Sequence, residues 1–261
     1  MSTVWILGAG FSASLGGPML GDLLSAGTQP RLTEVEPSLA TWINSPDVTD
    51  LIRAYHERIR NRRDPRDGGR WENAEEFLEQ LALVESGPRP SDIENRWPRG
   101  ERIDFQRVLR DARRLIAAEC SVFLPRYPEG SERWQPYVDW ARGLAAEDTV
   151  VTFNYNVVVE TACKRAAPEQ GGVRVIRPWQ YRADSLEAQG LKVAALYKLH
   201  GSTDWRHNTD GSVGGSAGPA WREDEPFIGM PGPEKLEMCR GDGPLGSLWN
   251  AALDRLREAN D

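Results

Sequence analysis

Apolar positions along this chain follow two different rhythms. Val4-Trp5-Ile6-Leu7 is a continuous apolar run, too short for a helix, and it ends at once in Gly8-Ala9-Gly10; this predicts a strand, a glycine turn and a helix start. Met19, Leu20, Leu23 and Leu24 then fall on one helical face, predicting a helix packed against that first strand. From 29 to 147 the pattern predicts helices separated by polar, Pro-rich connections, with no clear strand. Phe77, Leu78, Leu81 and Val84 share one face over 75–84; Phe105, Val108, Leu109, Ala112, Leu115 and Ile116 do so over 104–123. Trp134, Tyr137, Val138, Ala141 and Leu144 repeat it, with Pro136 in a first turn, where proline is tolerated. Pro88, Pro90 and Pro98 mark 86–102 as a loop.

The strand rhythm returns at Thr149 to Phe153, stops at Asn154-Tyr155-Asn156, and gives way to a helix over 157–165. Further short strands are predicted at 173–176, 194–199 and Phe227-Ile228. The segment 206–225, rich in Gly, Ser, Asp and Pro, reads as a loop beside the site. Leu245, Leu248, Trp249, Ala252, Leu253 and Leu256 predict a closing amphipathic helix. Strands alternating with helices imply an α/β fold with a parallel sheet and helices on both faces. The expected division is an α/β domain from 1–28 and 148–261, carrying a large helical insert over 29–147.

Composition narrows the function classes. The 261 residues carry a formal net charge of −7, without the basic surplus with which a nucleic-acid binder neutralises phosphates, so nucleic acid is not expected as a partner of this chain alone. Seven arginines crowd 53–70, but Glu72, Glu75, Glu76 and Glu79 follow directly, and a solvated charged face is expected there. No run approaches the roughly 18 apolar residues of a membrane helix, and the N-terminus lacks the basic head of a signal peptide; a cytoplasmic protein is expected. Cys120, Cys163 and Cys239 are odd in number and far apart, supporting neither a disulfide framework nor a zinc site.

In a parallel sheet, ligands sit at the carboxyl ends of the strands. The residues to weigh are therefore Gly8 to Ser12, Asn154 to Asn156, and His200-Gly201-Ser202. The glycine turn leaves backbone N–H groups and the positive end of a helix dipole facing one spot, an arrangement that holds a diphosphate without a basic side chain. Gly-x-Gly after a strand also occurs in α/β proteins with other ligands or none. A lone histidine is more often a hydrogen-bonded structural residue, yet its ordinary pKa near 6.5 suits a general base. Asparagine at a strand end commonly caps the next helix. Their expected convergence on one crevice is what raises both.

Three ordered blocks carry a resemblance: Gly-Ala-Gly-Phe-Ser with Gly16-Gly17-Pro18; Thr152-Phe153-Asn154-Tyr155-Asn156; and Lys198-Leu199-His200-Gly201-Ser202 with Trp205. Together they resemble the signature of the sirtuin-like family, and most of all its bacterial branch of NAD-hydrolysing antiphage-defence effectors. The 71–83 segment and the closing Leu-Trp helix are similar to that branch as well. The resemblance implies a Rossmann-like domain with NAD+ as substrate over the glycine turn, no metal, and NAD-binding positions at Gly8, Ala9, Gly10, Phe11, Ser12, Pro18, Thr152, Phe153, Asn156, Gly201 and Ser202. It implies that Asn154 orients the nicotinamide ribose and the attacking water, with His200 as base. The chemistry needs no general acid, because nicotinamide leaves a pyridinium as a neutral molecule, and the sugar becomes oxocarbenium-like as in glycoside cleavage.

Departures from the family shape the expectation. Sirtuin deacylases carry a four-cysteine zinc module, which three cysteines cannot build, so hydrolysis of NAD is expected over lysine deacylation. Asn156 stands where the family usually has aspartate. The family also continues past its Leu-Trp helix into another strand, whereas this chain ends at Asp261; a truncated form, a differently built pocket edge or a partner-supplied one is expected. The leading expectation is an NAD glycohydrolase serving as an antiphage effector, gated by homo-oligomerisation or a partner subunit. Asn156 and the early end favour the alternative, a module of the same fold that senses NAD or an ADP-ribose derivative without turning it over. An ordinary Rossmann oxidoreductase would need an acidic residue ending a second strand about 20 residues after the glycines, and that region reads as loop and helix.

Overall fold

The apolar runs at 4–7 and 149–152 pair side by side as the first two strands of a parallel sheet, meeting across 145 positions. The computed structural model describes residues 2–25, 32, 34–39, 50–52, 74, 77–79, 81, 104–126, 131–170, 172–180, 193–222, 225–230 and 233–259. Strands β1 (Val4–Leu7), β2 (Thr149–Thr152), β3 (Arg174–Ile176) and β4 (Ala195–Lys198) form a four-stranded sheet in the order β1-β2-β4-β3, parallel throughout. With helices packed on it, this is a Rossmann-like α/β fold. Every residue of β2 and β4 is buried, as expected of central parallel strands.

The helices are α1 (Gly10–Ala13), α2 (Phe105–Glu119), α3 (Gln135–Arg142), α4 (Val158–Ala166), α5 (Pro233–Cys239) and α6 (Gly246–Glu258). Alternation along the strands splits the core. Val150 and Leu196 face α3 and α4, where they pack with Val138, Ala141, Val158 and Ala162. Val151, Tyr197 and Ile176 face the other way, onto Leu245, Leu248 and Ala252 at α6. A third cluster joins α2 to Phe77, Leu78 and Leu81 and reaches Tyr155, Trp221 and Ile228 from the α/β part. Asp104 accepts a hydrogen bond from Arg107 N–H at 3.1 Å and so caps α2.

Residues 77–79 and 81 are helical and bury their apolar side chains, in line with the periodicity there. The rest of that expected helix, the loop at 86–102, the arginine-rich stretch and much of the 29–147 insert lie outside the described residues. No helix among the described residues is long and apolar enough to cross a membrane.

Two expectations are corrected. Met19 to Leu24 is not a helix: only a 3-10 turn forms at Leu20–Asp22, and Met19 and Leu20 are exposed. Asp22 accepts from Met19 N–H at 3.1 Å and closes the turn. Leu24 N–H then donates to the buried Glu119 carboxylate at 2.9 Å, drawing Leu23 and Leu24 into the α2 cluster and away from β1. Tertiary contacts override the local pattern. The second correction concerns Phe227-Ile228, which does not extend the parallel sheet. It belongs to a separate antiparallel sheet of β5 (Gly201–His207), β6 (Val213–Gly215) and β7 (Glu225–Ile228), ordered β6-β5-β7. The 206–225 segment is thus structured: it holds β6 and a short turn that buries Trp221.

Gly201 begins β5 with φ of +81°, and a Cβ there would run into the Phe227 carbonyl oxygen. Gly211 has φ of +80° with open space around it. Gly201→Ala is therefore expected to cost well over the roughly 1 kcal/mol of left-handed strain that Gly211→Ala costs, measured as the loss of unfolding free energy in urea. Equal costs would mean that the β5–β7 contact is not tight.

Candidate active site

Register sets the site. Leu7 pairs with Thr152 and Thr152 with Lys198, so three chains leave the sheet at one level and carry the glycine turn, Asn154 and His200 out beside one another. The ladder continues one step beyond the strands: Phe153 N–H donates to the Leu7 carbonyl at 3.2 Å and Leu199 N–H to the Thr152 carbonyl at 3.0 Å. The expected crevice exists. A cavity of about 180 Å³ opens there, with Asn154 and His200 both in its wall. Ala9, Pro18, Phe153 and Asn156 line it too, along with Leu20, Leu23, Cys120, Tyr155 and Lys235.

The other expected positions hold the walls instead of forming them. Thr152 Oγ1 donates to the Leu7 carbonyl at 3.2 Å and accepts from Asn154 N–H at 3.1 Å. Ser12 is fully buried; its hydroxyl donates to the Ala9 carbonyl at 3.1 Å. Phe11 points away, packing edge-on against Tyr137 at 5.1 Å and Trp140 at 4.9 Å. Ser202 bonds the Asp204 carboxylate and, at 3.4 Å, the Tyr155 carbonyl. Gly201 serves the β5–β7 contact. Gly8 and Gly10 differ: neither has a positive φ, and a Cβ on either would meet nothing within 4 Å. The fold does not require glycine at these two places.

Asn154 Nδ2 donates to the Gly8 carbonyl at 2.8 Å, tying the end of β2 to the glycine turn. The amide is thereby fixed, and among the described residues its Oδ1 accepts no hydrogen bond. Asn156 has a different task. Its Nδ2 donates to Ser12 Oγ at 3.0 Å and its Oδ1 accepts from Val158 N–H at 3.2 Å, capping the start of α4. Because the Ser12 proton goes to Ala9, residue 156 must supply a donor, which an amide does and a carboxylate cannot.

His200 stands among Phe153, Trp249 and Tyr155, with ring centroids 5.0, 6.1 and 6.4 Å away. Burial, and then the Lys235 charge, push its pKa down to about 4, against a backbone hydrogen bond to Phe153 that pulls the other way. The imidazole is neutral at pH 7, able to accept a proton but a weaker base than a free histidine. Cys120 is no rival nucleophile: burial pushes its thiol well above the usual range, so it stays protonated.

Sequence reasoning missed two lysines. Lys198 is fully buried behind the site, donating to the Asn156 carbonyl at 2.6 Å, the Tyr155 carbonyl at 3.3 Å and Glu160 Oε1 at 2.9 Å. It stiffens the turn that presents Asn154. The signal was a lysine inside an otherwise apolar strand. Lys235 comes from α5, which carries no motif, and nothing local marks it.

Two other concavities are lined by described residues. One of about 370 Å³, lined by Gly16, Gly17, Asp22 and Glu119, shares Pro18 with the His200 cavity. A larger groove of about 980 Å³ runs beside α3 and α4, past Trp134, Thr161 and Lys164, and holds none of the strand-end residues. Size alone would select the groove. The strand ends and the perturbed histidine select the small cavity.

Below pH 6.5 an unfolded chain takes up a proton at His200 that the folded chain refuses until about 4. Stability is therefore lost as pH falls through that window. The expected outcome is that His200→Asn flattens the dependence of the urea midpoint on pH between 6.5 and 4, and an unchanged slope would contradict the buried, neutral imidazole. A Cβ at Gly17 would lie 2.8 Å from Ser12 Cβ and 2.9 Å from its carbonyl oxygen. Gly17→Ala is expected to destabilise by about 2 kcal/mol or more while Gly10→Ala leaves the melting temperature near wild type, both read by thermal unfolding.

No family model matches this chain, and no curated protein matches it either.

Proposed function

We propose that the chain is an NAD glycohydrolase, cleaving NAD+ to nicotinamide and ADP-ribose, and that it serves as an antiphage effector held off by oligomerisation or a partner subunit. One observation carries the reading: the Asn154 amide and the His200 imidazole share one cavity beside the glycine turn. A small cavity suits the reacting end of the ligand. At about 180 Å³ it falls below the roughly 300–1,000 Å³ of sites that enclose a whole drug-sized ligand; it takes the nicotinamide ribose, and the rest of the dinucleotide lies outside, over Gly8 and Gly10, where the backbone is unobstructed.

Roles follow from the geometry. Asn154, clamped through Nδ2, offers Oδ1 to a ribose hydroxyl or the attacking water. Neutral His200 accepts the water's proton as the C–N bond breaks and nicotinamide leaves. Aromatic walls at 153 and 155 exclude bulk water and flank a flat ring, and Trp249 packs against His200. The resemblance supplies the biological setting.

A second reading is favoured by the depth of the His200 shift. A base weakened to a pKa of about 4 suits a module that senses NAD or an ADP-ribose derivative without cleaving it. Incubation with NAD+ separates the two: release of nicotinamide supports the hydrolase, and tight binding with none released, even with the natural partner present, selects the sensor. For the hydrolase, His200→Ala and Asn154→Ala are each expected to lower kcat by about 100-fold or more, with activity surviving either change refuting the assigned roles. The acid limb of kcat/KM, which reports the free enzyme, is expected near pH 4 instead of near 6.5.

A further inference from the structure

The His200 cavity has one charged wall. Among the described residues lining it, Lys235 alone carries a formal charge at neutral pH, and no carboxylate faces it there. Lys235 makes no ion pair and no hydrogen bond with any described residue. By contrast Lys198, the other lysine near the site, is fully committed to two carbonyls and Glu160. The position of Lys235 is nonetheless fixed. Its stem passes Gly229, whose Cβ would lie 3.7 Å from Lys235 Cγ, and Gly229 N–H donates to the His200 carbonyl at 2.8 Å. Tyr155 OH holds the Gly229 carbonyl at 2.8 Å. The Lys235 stem thus passes the same short backbone unit that holds His200, and the residue reaches the cavity wall from α5.

An ammonium at a half-buried rim, without a counterion among the described residues and beside an imidazole it repels, is a cost to the protein alone. An anion arriving at the cavity removes that cost. The glycine turn has no basic side chain, so a diphosphate over it would meet only backbone N–H groups and a one-turn helix, and the single full positive charge within the cavity comes from α5. We infer that Lys235 is the anion-recognising residue of this site, its ammonium taking a phosphate oxygen of the ligand whose ribose enters beside Asn154 and His200.

This assignment rests on the dinucleotide reading and gives it a regulatory consequence. Among the described residues, the titratable groups sharing the cavity with His200 are Lys235 from α5, Cys120 from the end of α2 and Tyr155 from the turn after β2, and Cys239 at the end of α5 reaches the adjoining Leu199 carbonyl. Both thiols are shifted upward by burial, which leaves Lys235 as the charge acting on the imidazole. A phosphate on Lys235 screens that charge, so a bound ligand strengthens the base that acts on it, and an empty site keeps the base weak.

Binding of ADP-ribose and of inorganic pyrophosphate, followed by calorimetry, tests this without any turnover. The wild-type protein is expected to bind ADP-ribose, and Lys235→Met, which keeps the stem, to weaken it about tenfold or more, with Lys235→Arg restoring most of the loss. Nicotinamide riboside, which has no phosphate, should bind Lys235→Met as well as wild type or better. Imidazole NMR should show the His200 pKa rising when ADP-ribose binds wild type, and starting higher but moving less in Lys235→Met. Unchanged ADP-ribose affinity in Lys235→Met, an equal loss of riboside binding, or no ADP-ribose binding by wild type overturns the assignment. If wild type binds ADP-ribose through Lys235 but releases no nicotinamide, the hydrolase falls and this assignment stands. If NAD is hydrolysed with the same KM in Lys235→Met, this assignment falls and the hydrolase stands.

Discussion

The hydrogen bond from the Asn154 amide to the Gly8 carbonyl ties the end of β2 to the glycine turn, the two pieces of backbone on which the candidate site depends. It is possible only because β1 and β2 end in register, Leu7 opposite Thr152, and because Thr152 continues the ladder with its hydroxyl. One residue of slip would turn the site's side chains to the opposite face of the sheet. Behind this bond stand Ser12 and Asn156, locked to each other with Gly17 packed on them, and Lys198, gathering the carbonyls of the same turn from beneath. Buried polar groups are satisfied here in a chain of donors and acceptors, and such networks impose one geometry because every broken link leaves a desolvated partner.

The environment of His200 shows two requirements in opposition. In the proposed hydrolysis, excluding water from an oxocarbenium-like centre calls for the aromatic side chains around the ring, and these strip the imidazolium of hydration. The same enclosure that protects the reaction therefore weakens the base. Desolvation is the larger influence and the Lys235 charge the smaller.

Much of the fold was legible because its signals are local. The continuous apolar runs at 4–7, 149–152 and 195–198 read as buried parallel strands, and the spacing in α2, α3 and α6 reads as amphipathic helix. What was not legible was decided by distant partners. Glu119 captures Leu24 from 95 positions away and unmakes a helix that the leucine spacing suggested. Strand β5 runs Gly-Ser-Thr-Asp-Trp-Arg-His, without alternation, and exists because β7 lies beside it. In the site, residues directly after strands could be named from the pattern, since the sheet brings strand ends together. Phe11 and Ser202 follow strands too but turn aside into packing and local hydrogen bonds, and Lys235 approaches from an element that the pattern did not contain.

Pairing of β1 with β2 has a price in time. Thr3 N–H is held by Asp148 at 2.8 Å, 145 positions along the chain, so β1 is synthesised long before β2 and must wait for that intervening stretch before it has a neighbour. Closing so long a loop is slow, and contact order of this kind delays folding. The glycine turn precedes β2 in the chain, so its bond to Asn154 waits on β2, and a nascent chain that ends before β2 holds no assembled cleft.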